Sequence, residues 1–143
     1  MKSILFTLVF CVASFFCEAQ VQIIKDSLSV SKIVGFQQKA GFGNYEIKFK
    51  DVIADSRCPK SVMCVRSGEA DILVSIYKNG NFIKDRKIRI DASGYVMESK
   101  NLAFNAEDFK IYGFDLTPYP NGVNAIVDKD YKLELVVKPK SLE

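Results

Sequence analysis

The residues of this chain best suited to covalent or metal chemistry are its cysteines, and their spacing limits what they can do. The sequence contains four cysteines and no histidine. Cys58 and Cys64 are separated by five residues, which a short helical turn or loop can close into a disulfide. A redox pair would have two intervening residues at a helix N-terminus. A metal site would need two further soft ligands, and the other two cysteines, Cys11 and Cys17, lie in the N-terminal segment that we interpret below as a signal peptide. We therefore predict a structural disulfide between Cys58 and Cys64.

The lack of histidine excludes several kinds of site at once. Catalytic triads and Cys-His pairs need an imidazole base, and many zinc and iron sites need an imidazole ligand. We expect no cofactor and no catalysis that depends on histidine.

Carboxylates are the remaining groups that could support catalysis. The acidic residues around the cysteine pair are Asp51, Asp55, Glu69 and Asp71. Two of them could serve as the acid and base of a hydrolase of the glycosidase type. Three cations lie in the same stretch, at Arg57, Lys60 and Arg66, so ordinary ion pairs are the favoured interpretation. We expect that the protein is not an enzyme, with a carboxylate-based hydrolase as an alternative.

Two other groups of residues suggest ligands only weakly. Asp128-Lys129-Asp130 could contribute carboxylates to a Ca²⁺ site, but it lacks the glycine and the distant glutamate of an EF-hand loop, so a polar turn is favoured. An aromatic platform for sugars could be built from Phe36, Phe42, Tyr95, Tyr112 and Tyr119. Aromatic residues in an all-β domain usually belong to the core, and the chain has no tryptophan.

The segment from Asp51 to Gly68 is the best candidate for a binding surface. A charged loop that is closed by a disulfide is rigid, and rigid loops often carry binding residues. The polar residues that the loop could present are Asp55, Ser56, Arg57, Lys60 and Arg66. Structural roles explain the same residues: Arg57 can pair with Asp51, Asp55 or Glu69, and Gly68 fits a bulge or a positive φ.

The rest of the chain predicts the β-strands that position this loop. Alternation of apolar and polar residues indicates strands at Tyr45–Lys50, Ala70–Tyr77, Phe82–Ile90, Phe109–Leu116 and Tyr131–Val137. Weaker strands are expected at Gln22–Lys25, Leu28–Phe36, Gly94–Met97 and Leu102–Phe104. Asn79-Gly80 predicts a two-residue hairpin turn in which Tyr77 or Lys78 pairs with Phe82 or Asn81. Helical character is expected only at Pro59–Met63 and over one turn at Asn105–Asp108.

Together these elements predict an all-β fold, an antiparallel β-sandwich or flattened barrel of about seven to nine strands. The short loop closed by Cys58 and Cys64 would join two of its confident strands.

The first nineteen residues have the pattern of a secretory signal peptide. Lys2 precedes the apolar run Ile4–Phe16, which is shorter than the roughly 20 residues of a membrane-spanning helix. Small residues at Cys17 and Ala19 favour cleavage before Gln20. A buried helix, a membrane anchor or lipidation at Cys11 or Cys17 are alternatives. We predict a mature domain of residues 20–143 that is secreted or periplasmic.

The formal net charge of +3 is small and spread along the chain. Nucleic-acid binding would require a clustered basic face, so no nucleic-acid partner is expected. No second apolar run is long enough to span a bilayer, and we expect no membrane insertion after signal cleavage.

Asp55–Pro59 followed by Cys64 resembles a motif of small exported bacterial all-β proteins of unknown function, DSRCP, four residues and Cys. Three other segments are similar to that group: Ile33–Gln37, Leu116–Pro120 and Asp130-Tyr131. Arg66 stands where the group usually has tryptophan. The resemblance implies export and an all-β fold, and it implies no particular chemistry.

The sequence therefore predicts an exported, non-catalytic β-sandwich module with a binding or structural role. Its ligand is unknown, and a protein or glycan at the cell envelope is the expected kind of partner. The alternative is an inhibitor or immunity-like protein that binds a macromolecule through the Cys58–Cys64 loop.

Overall fold

A computed structural model describes residues 30–94, 98–122 and 124–140. The predicted signal peptide at residues 1–19, the predicted strand Gln22–Lys25 and the aromatic candidate Tyr95 lie outside the described residues. So does most of the predicted strand Gly94–Met97.

The described chain forms an antiparallel β-sandwich of two four-stranded sheets, and the sheets do not close into a barrel. The strands are β1 (Val30–Gly35), β2 (Lys39–Phe42), β3 (Tyr45–Asp55), β4 (Glu69–Lys78), β5 (Asn81–Asp91), β6 (Leu102–Asn105), β7 (Phe109–Thr117) and β8 (Lys132–Pro139). One sheet has the order β1-β8-β7-β6 and the other the order β2-β3-β4-β5. A short helix α1 (Glu98–Asn101) precedes β6, and a 3₁₀ turn at Asp128–Asp130 precedes β8.

The core lies between the two sheets and is built by the predicted alternation. Ala70, Ile72, Val74 and Ile76 share the inner face of β4 and are fully buried, as the sequence predicted for a central strand. The other sheet contributes Leu133 and Leu135 from β8, which are also fully buried. The two-residue period of the apolar side chains therefore matches the observed burial along β4 and β8.

The β4–β5 connection confirms the hairpin prediction. Asn79 and Gly80 have φ values of +50° and +79°, which the Asn-Gly pair tolerates well. Tyr77 pairs with Phe82, and Lys78 pairs with Asn81. This turn fixes the register of β4 and β5, and the β3–β4 loop lies at the other end of β4.

The two helical predictions are wrong. Pro59–Met63 forms a tight turn in which the Val62 N–H donates to the Pro59 carbonyl at 3.2 Å, because the disulfide ring is too short to continue as a helix. Asn105–Asp108 is a bend closed by the Ala106 N–H on the Phe109 carbonyl, at 2.9 Å. Conversely, β2 and helix α1 were not predicted.

In the described residues, no helix is sufficiently long and apolar to span a bilayer.

Candidate functional site

The candidate site is the loop from Ser56 to Gly68 that joins β3 to β4 at one end of the sandwich. Cys58 and Cys64 form the predicted disulfide, with their Cα atoms 6.0 Å apart. The base of the loop continues the β-ladder, because the Ser56 N–H donates to the Glu69 carbonyl at 2.9 Å and the Cys58 N–H to the Ser67 carbonyl at 2.8 Å. The loop is therefore closed twice, once by hydrogen bonds and once by the disulfide.

Gly68 allows the two arms of the loop to approach each other. Its φ is +74°, which confirms the positive φ suggested by the sequence. A Cβ atom at this position would overlap the carbonyl oxygen of Ser56 and lie 2.9 Å from its carbonyl carbon. Only glycine fits both the backbone conformation and the close approach.

Arg57 is buried beneath the loop, with 3% of its surface exposed. Its guanidinium forms a fork with Asp55, from Nε to Oδ1 at 2.8 Å and from Nη2 to Oδ2 at 2.7 Å. Nη1 also donates to the Leu116 carbonyl, and Nη2 donates to the Pro118 carbonyl at 3.1 Å. These two acceptors lie on either side of the cis Thr117–Pro118 peptide bond, so one side chain ties β3 to the loop that follows β7.

Tyr131, the residue immediately before β8, is the third member of this polar cluster. Its hydroxyl donates to Asp55 Oδ2 at 2.9 Å. Burial raises the pKa of Asp55, but the hydrogen bonds and charge of Arg57 and the Tyr131 hydroxyl outweigh it and leave that pKa below its ordinary value. Burial and the hydrogen bond to Asp55 raise the pKa of Tyr131 to about 12. Asp55, Arg57 and Tyr131 thus form an internal ion-pair cluster with a carboxylate that stays ionised at neutral pH.

The loop also rests on the segment Pro118–Gly122. The Lys60 N–H donates to the Pro120 carbonyl at 3.1 Å, and Ser61 Oγ donates to the Asn121 carbonyl at 2.9 Å. The Tyr119 ring lies near both cations, with its centroid 4.9 Å from Arg57 Cζ and 5.6 Å from Lys60 Nζ. Two loops that are distant in sequence therefore form one rigid unit.

The structure separates the five predicted binding residues into two groups. Asp55 and Arg57 point inward and are occupied by each other, while Ser56 Oγ donates to the Glu69 carbonyl at 2.8 Å. Lys60 and Arg66 are on the surface, where Arg66 lies 3.8 Å from Glu69 and its charge helps to lower the pKa of Asp91. Of the predicted set, the two exposed cations are the side chains open to a partner.

The most exposed apolar side chains of the loop were not singled out from the sequence. Val62, Met63 and Val65 are 54%, 101% and 105% exposed. We call the segment Val62–Val65, which includes Cys64, the loop tip. One signal was available: a ring of seven residues closed by a disulfide cannot fold its own apolar side chains back into a distant core.

Two of the three other carboxylates near the loop, Glu69 and Asp71, are paired with cations. Asp71 accepts from Arg89 Nε at 2.7 Å and lies 2.8 Å from Lys87 Nζ, while Glu69 lies 3.5 Å from Arg89 Nη1. The hydrogen bond from Arg89 is the main cause that lowers the pKa of Asp71 to about 2, against the opposing effect of burial. Asp51 accepts from the Val52 N–H at 2.9 Å. Glu69 and Asp71 are thus in ion pairs, as the sequence favoured, but the main partners are Lys87 and Arg89 of β5 rather than Lys60 and Arg66.

The remaining candidate ligand sites have structural roles or no defined geometry. Phe36 packs edge-on against Phe49, with ring centroids 5.6 Å apart, and Phe42 and Tyr112 are buried. Tyr119 is half-buried beside Arg57 and Lys60. Asp128–Asp130 is the 3₁₀ turn, and no cluster of three or more potential metal ligands occurs within the described residues.

The segments that carried the sequence resemblance meet at this site. Asp55 and Arg57 contact Leu116, Pro118 and Tyr131. The Phe36 N–H donates to the Tyr131 carbonyl at 3.0 Å, which brings the end of β1 into the same region. These separated segments are thus held together by direct hydrogen bonds.

Comparison of the chain with protein-family models, with curated proteins and with solved structures finds no match.

Proposed function

We propose that the chain is an exported β-sandwich binding module, without catalysis of its own, that contacts a macromolecular partner through the loop tip. One observation carries the proposal: Val62, Met63 and Val65 are exposed on a loop that a disulfide and two sets of hydrogen bonds hold rigid. A binding surface gains from such rigidity because less conformational entropy is lost when the partner binds.

The loop is held in place by residues other than its exposed apolar side chains, and this supports a binding role for those side chains. The buried Asp55–Arg57 pair, the Ser61–Asn121 hydrogen bond and the disulfide hold the loop in place. The side chains of Met63 and Val65 contribute nothing to that support, since they are fully exposed. A connection with only a structural role would be served equally well by polar residues, whereas clustered exposed apolar residues are typical of interaction sites.

An inhibitor or immunity-like protein is the specific form of this function that the loop suits best. Enzyme clefts are concave, and a projecting rigid loop can enter a cleft without rearranging.

Export is part of the same proposal. The Cys58–Cys64 disulfide is typical of proteins that fold in oxidising compartments. Cleavage between Ala19 and Gln20 would give an intact mass that begins at Gln20. A secreted species that retains Met1, or a diacylglyceryl adduct on Cys17, would contradict the predicted processing.

Site-specific photocross-linking in cells that export the full chain tests the binding role. A benzophenone amino acid would replace Val65 in one variant and Ile33 in the other, because Ile33 is also an exposed aliphatic residue, 69% exposed on β1. We expect a discrete adduct from position 65 that mass spectrometry identifies and that is absent from position 33. No adduct at position 65, or the same adducts at both positions, would reject the loop tip as the binding surface.

A further inference from the structure

Resting on the proposed binding function, we infer that the partner is a protein that receives the loop tip in an apolar recess bordered by carboxylates. The charges near the tip, its shape and its rigidity each favour such a surface.

The charge of the loop is entirely positive. Ser56–Gly68 contains Arg57, Lys60 and Arg66 and no aspartate or glutamate. The charge of Arg57 is neutralised internally by Asp55. Lys60 and Arg66 remain at the surface, and in the sequence they stand on either side of the loop tip. The Arg66 side chain is 82% exposed and its 3.8 Å contact with Glu69 is long, so its guanidinium remains available to another carboxylate.

The apolar part of the loop is convex. Side chains that are 101% and 105% exposed, as at Met63 and Val65, project beyond the rest of the molecule. A convex apolar tip is desolvated fully only when it enters a concavity. Methionine is well suited to this role because its flexible thioether adapts to an irregular recess. The exposed cations that flank the tip in sequence then complement carboxylates at the rim of that recess.

A protein surface fits these features better than a lipid surface. Electrostatic binding to anionic membranes uses clusters of roughly four to eight basic residues, and the loop offers two exposed cations. The tip also lacks the aromatic residues that favour the membrane interface. A disulfide-locked shape gives an advantage against a shaped recess, whereas a fluid bilayer has no fixed shape to match.

Selection from a phage library of random 16-residue peptides tests the inference although the partner itself is unidentified. The exported protein, with its disulfide intact, is panned in parallel with the variant Met63→Ser/Val65→Ser. Peptides recovered by the protein but not by the variant are sequenced and synthesised. We expect apolar residues flanked by Asp or Glu, and binding that weakens as salt increases.

Charge reversal provides the matched comparison. Lys60→Glu/Arg66→Glu should weaken binding of the selected peptides by about tenfold or more. Lys84→Glu/Arg86→Glu changes the net charge equally on β5 and should leave the affinity unchanged. The inference would be overturned if the peptides that bind the protein but not Met63→Ser/Val65→Ser were not enriched in Asp and Glu. It would also be overturned if the selection recovered no such peptide.

Sedimentation with phosphatidylcholine vesicles that contain phosphatidylglycerol separates the lipid alternative. We expect no difference between the protein and Met63→Ser/Val65→Ser. Sedimentation that depends on the tip residues would overturn the inference in favour of a lipid surface. Cross-linking from position 65 remains an independent test: adducts there, without acidic peptides in the selection, would refute the recess with its carboxylate rim but not the binding function.

Discussion

Replacement of Asp55 by asparagine is the most informative test of how the loop is supported. The side chain keeps its size, but the carboxylate that neutralises Arg57 is lost. Arg57 is 3% exposed, and its other acceptors are the neutral carbonyls of Leu116 and Pro118. The amide N–H₂ of the new residue would also face a donor, either the guanidinium of Arg57 or the hydroxyl of Tyr131. The substitution therefore leaves a buried cation without a counter-charge.

The size of the effect follows from burial. The side chains of Arg57 and Asp55 are 1% and 10% exposed, so solvent screens their interaction very little. Removing one partner from a buried pair costs about 3–5 kcal/mol, and the slight exposure of Asp55 places the expectation near the lower value, about 3 kcal/mol. Tyr131→Phe removes one hydrogen bond to the same carboxylate and should cost about 1 kcal/mol.

Urea unfolding of the protein with its disulfide intact measures these differences. Asp85→Asn is the matched control, because Asp85 lies 2.6 Å from Lys50 in a pair whose side chains are 33% and 44% exposed, and its loss should matter far less. Asp55→Asn/Arg57→Met should recover part of the lost stability, because it also removes the unpaired charge. If Asp55→Asn destabilises the protein no more than Asp85→Asn does, the pairing of Asp55 with buried Arg57 does not stabilise the loop.

Three further predictions concern the loop and its surroundings. Gly68→Ala should lower the free energy of unfolding by more than about 2 kcal/mol, because the new Cβ overlaps the Ser56 carbonyl at a φ of +74°. Gly43→Ala, at a φ of +63° with open space around it, should lower it by only about 1 kcal/mol, and chemical unfolding compares the two variants. Cys58→Ser/Cys64→Ser should lose about 2 kcal/mol of unfolding free energy, and thiol titration of the denatured, unreduced protein should find neither cysteine free before substitution; two free thiols would contradict the disulfide. Because the pKa of Asp71 is lowered to about 2, its ion pairs stabilise the fold above the unfolded pKa of about 3.9, and this stability is lost as pH falls through about 2. The loss between pH 6 and pH 2.5 should therefore be smaller in Asp71→Asn than in the parent protein, and equal losses would argue against the pairing.

The strands were predictable where the sequence contains enough periods of alternation. β4 has four buried residues at every second position, and this repetition gives both its type and its inner face. β2 has only four residues, with Gly41 in its interior, so its pattern is too short and too weak to identify. Pro59 suggested the first turn of a helix because proline is tolerated there, but the disulfide ring and the contacts with Pro120 and Asn121 determine the local conformation instead. Those contacts join residues about 60 positions apart, and no local pattern records them.

The candidate site shows the same limit for side-chain roles. Arg57 and Arg66 are the same residue type in one loop, yet the first is an internal support and the second is exposed. The sequence offered Asp51, Asp55 and Glu69 as partners for Arg57, and only the position of the β7–β8 loop decides among them. The end of β7 supplies the Leu116 carbonyl, and the loop that follows supplies the Pro118 carbonyl and the Tyr119 ring, so that together they surround the guanidinium of Arg57. Because Asp55 and Arg57 are used in this way, the apolar side chains of Met63 and Val65 can remain at the surface without holding the loop together. The exposed fractions of Val62, Met63 and Val65 are the observation on which the proposed binding function rests, and the sequence had pointed instead to polar residues of the same loop.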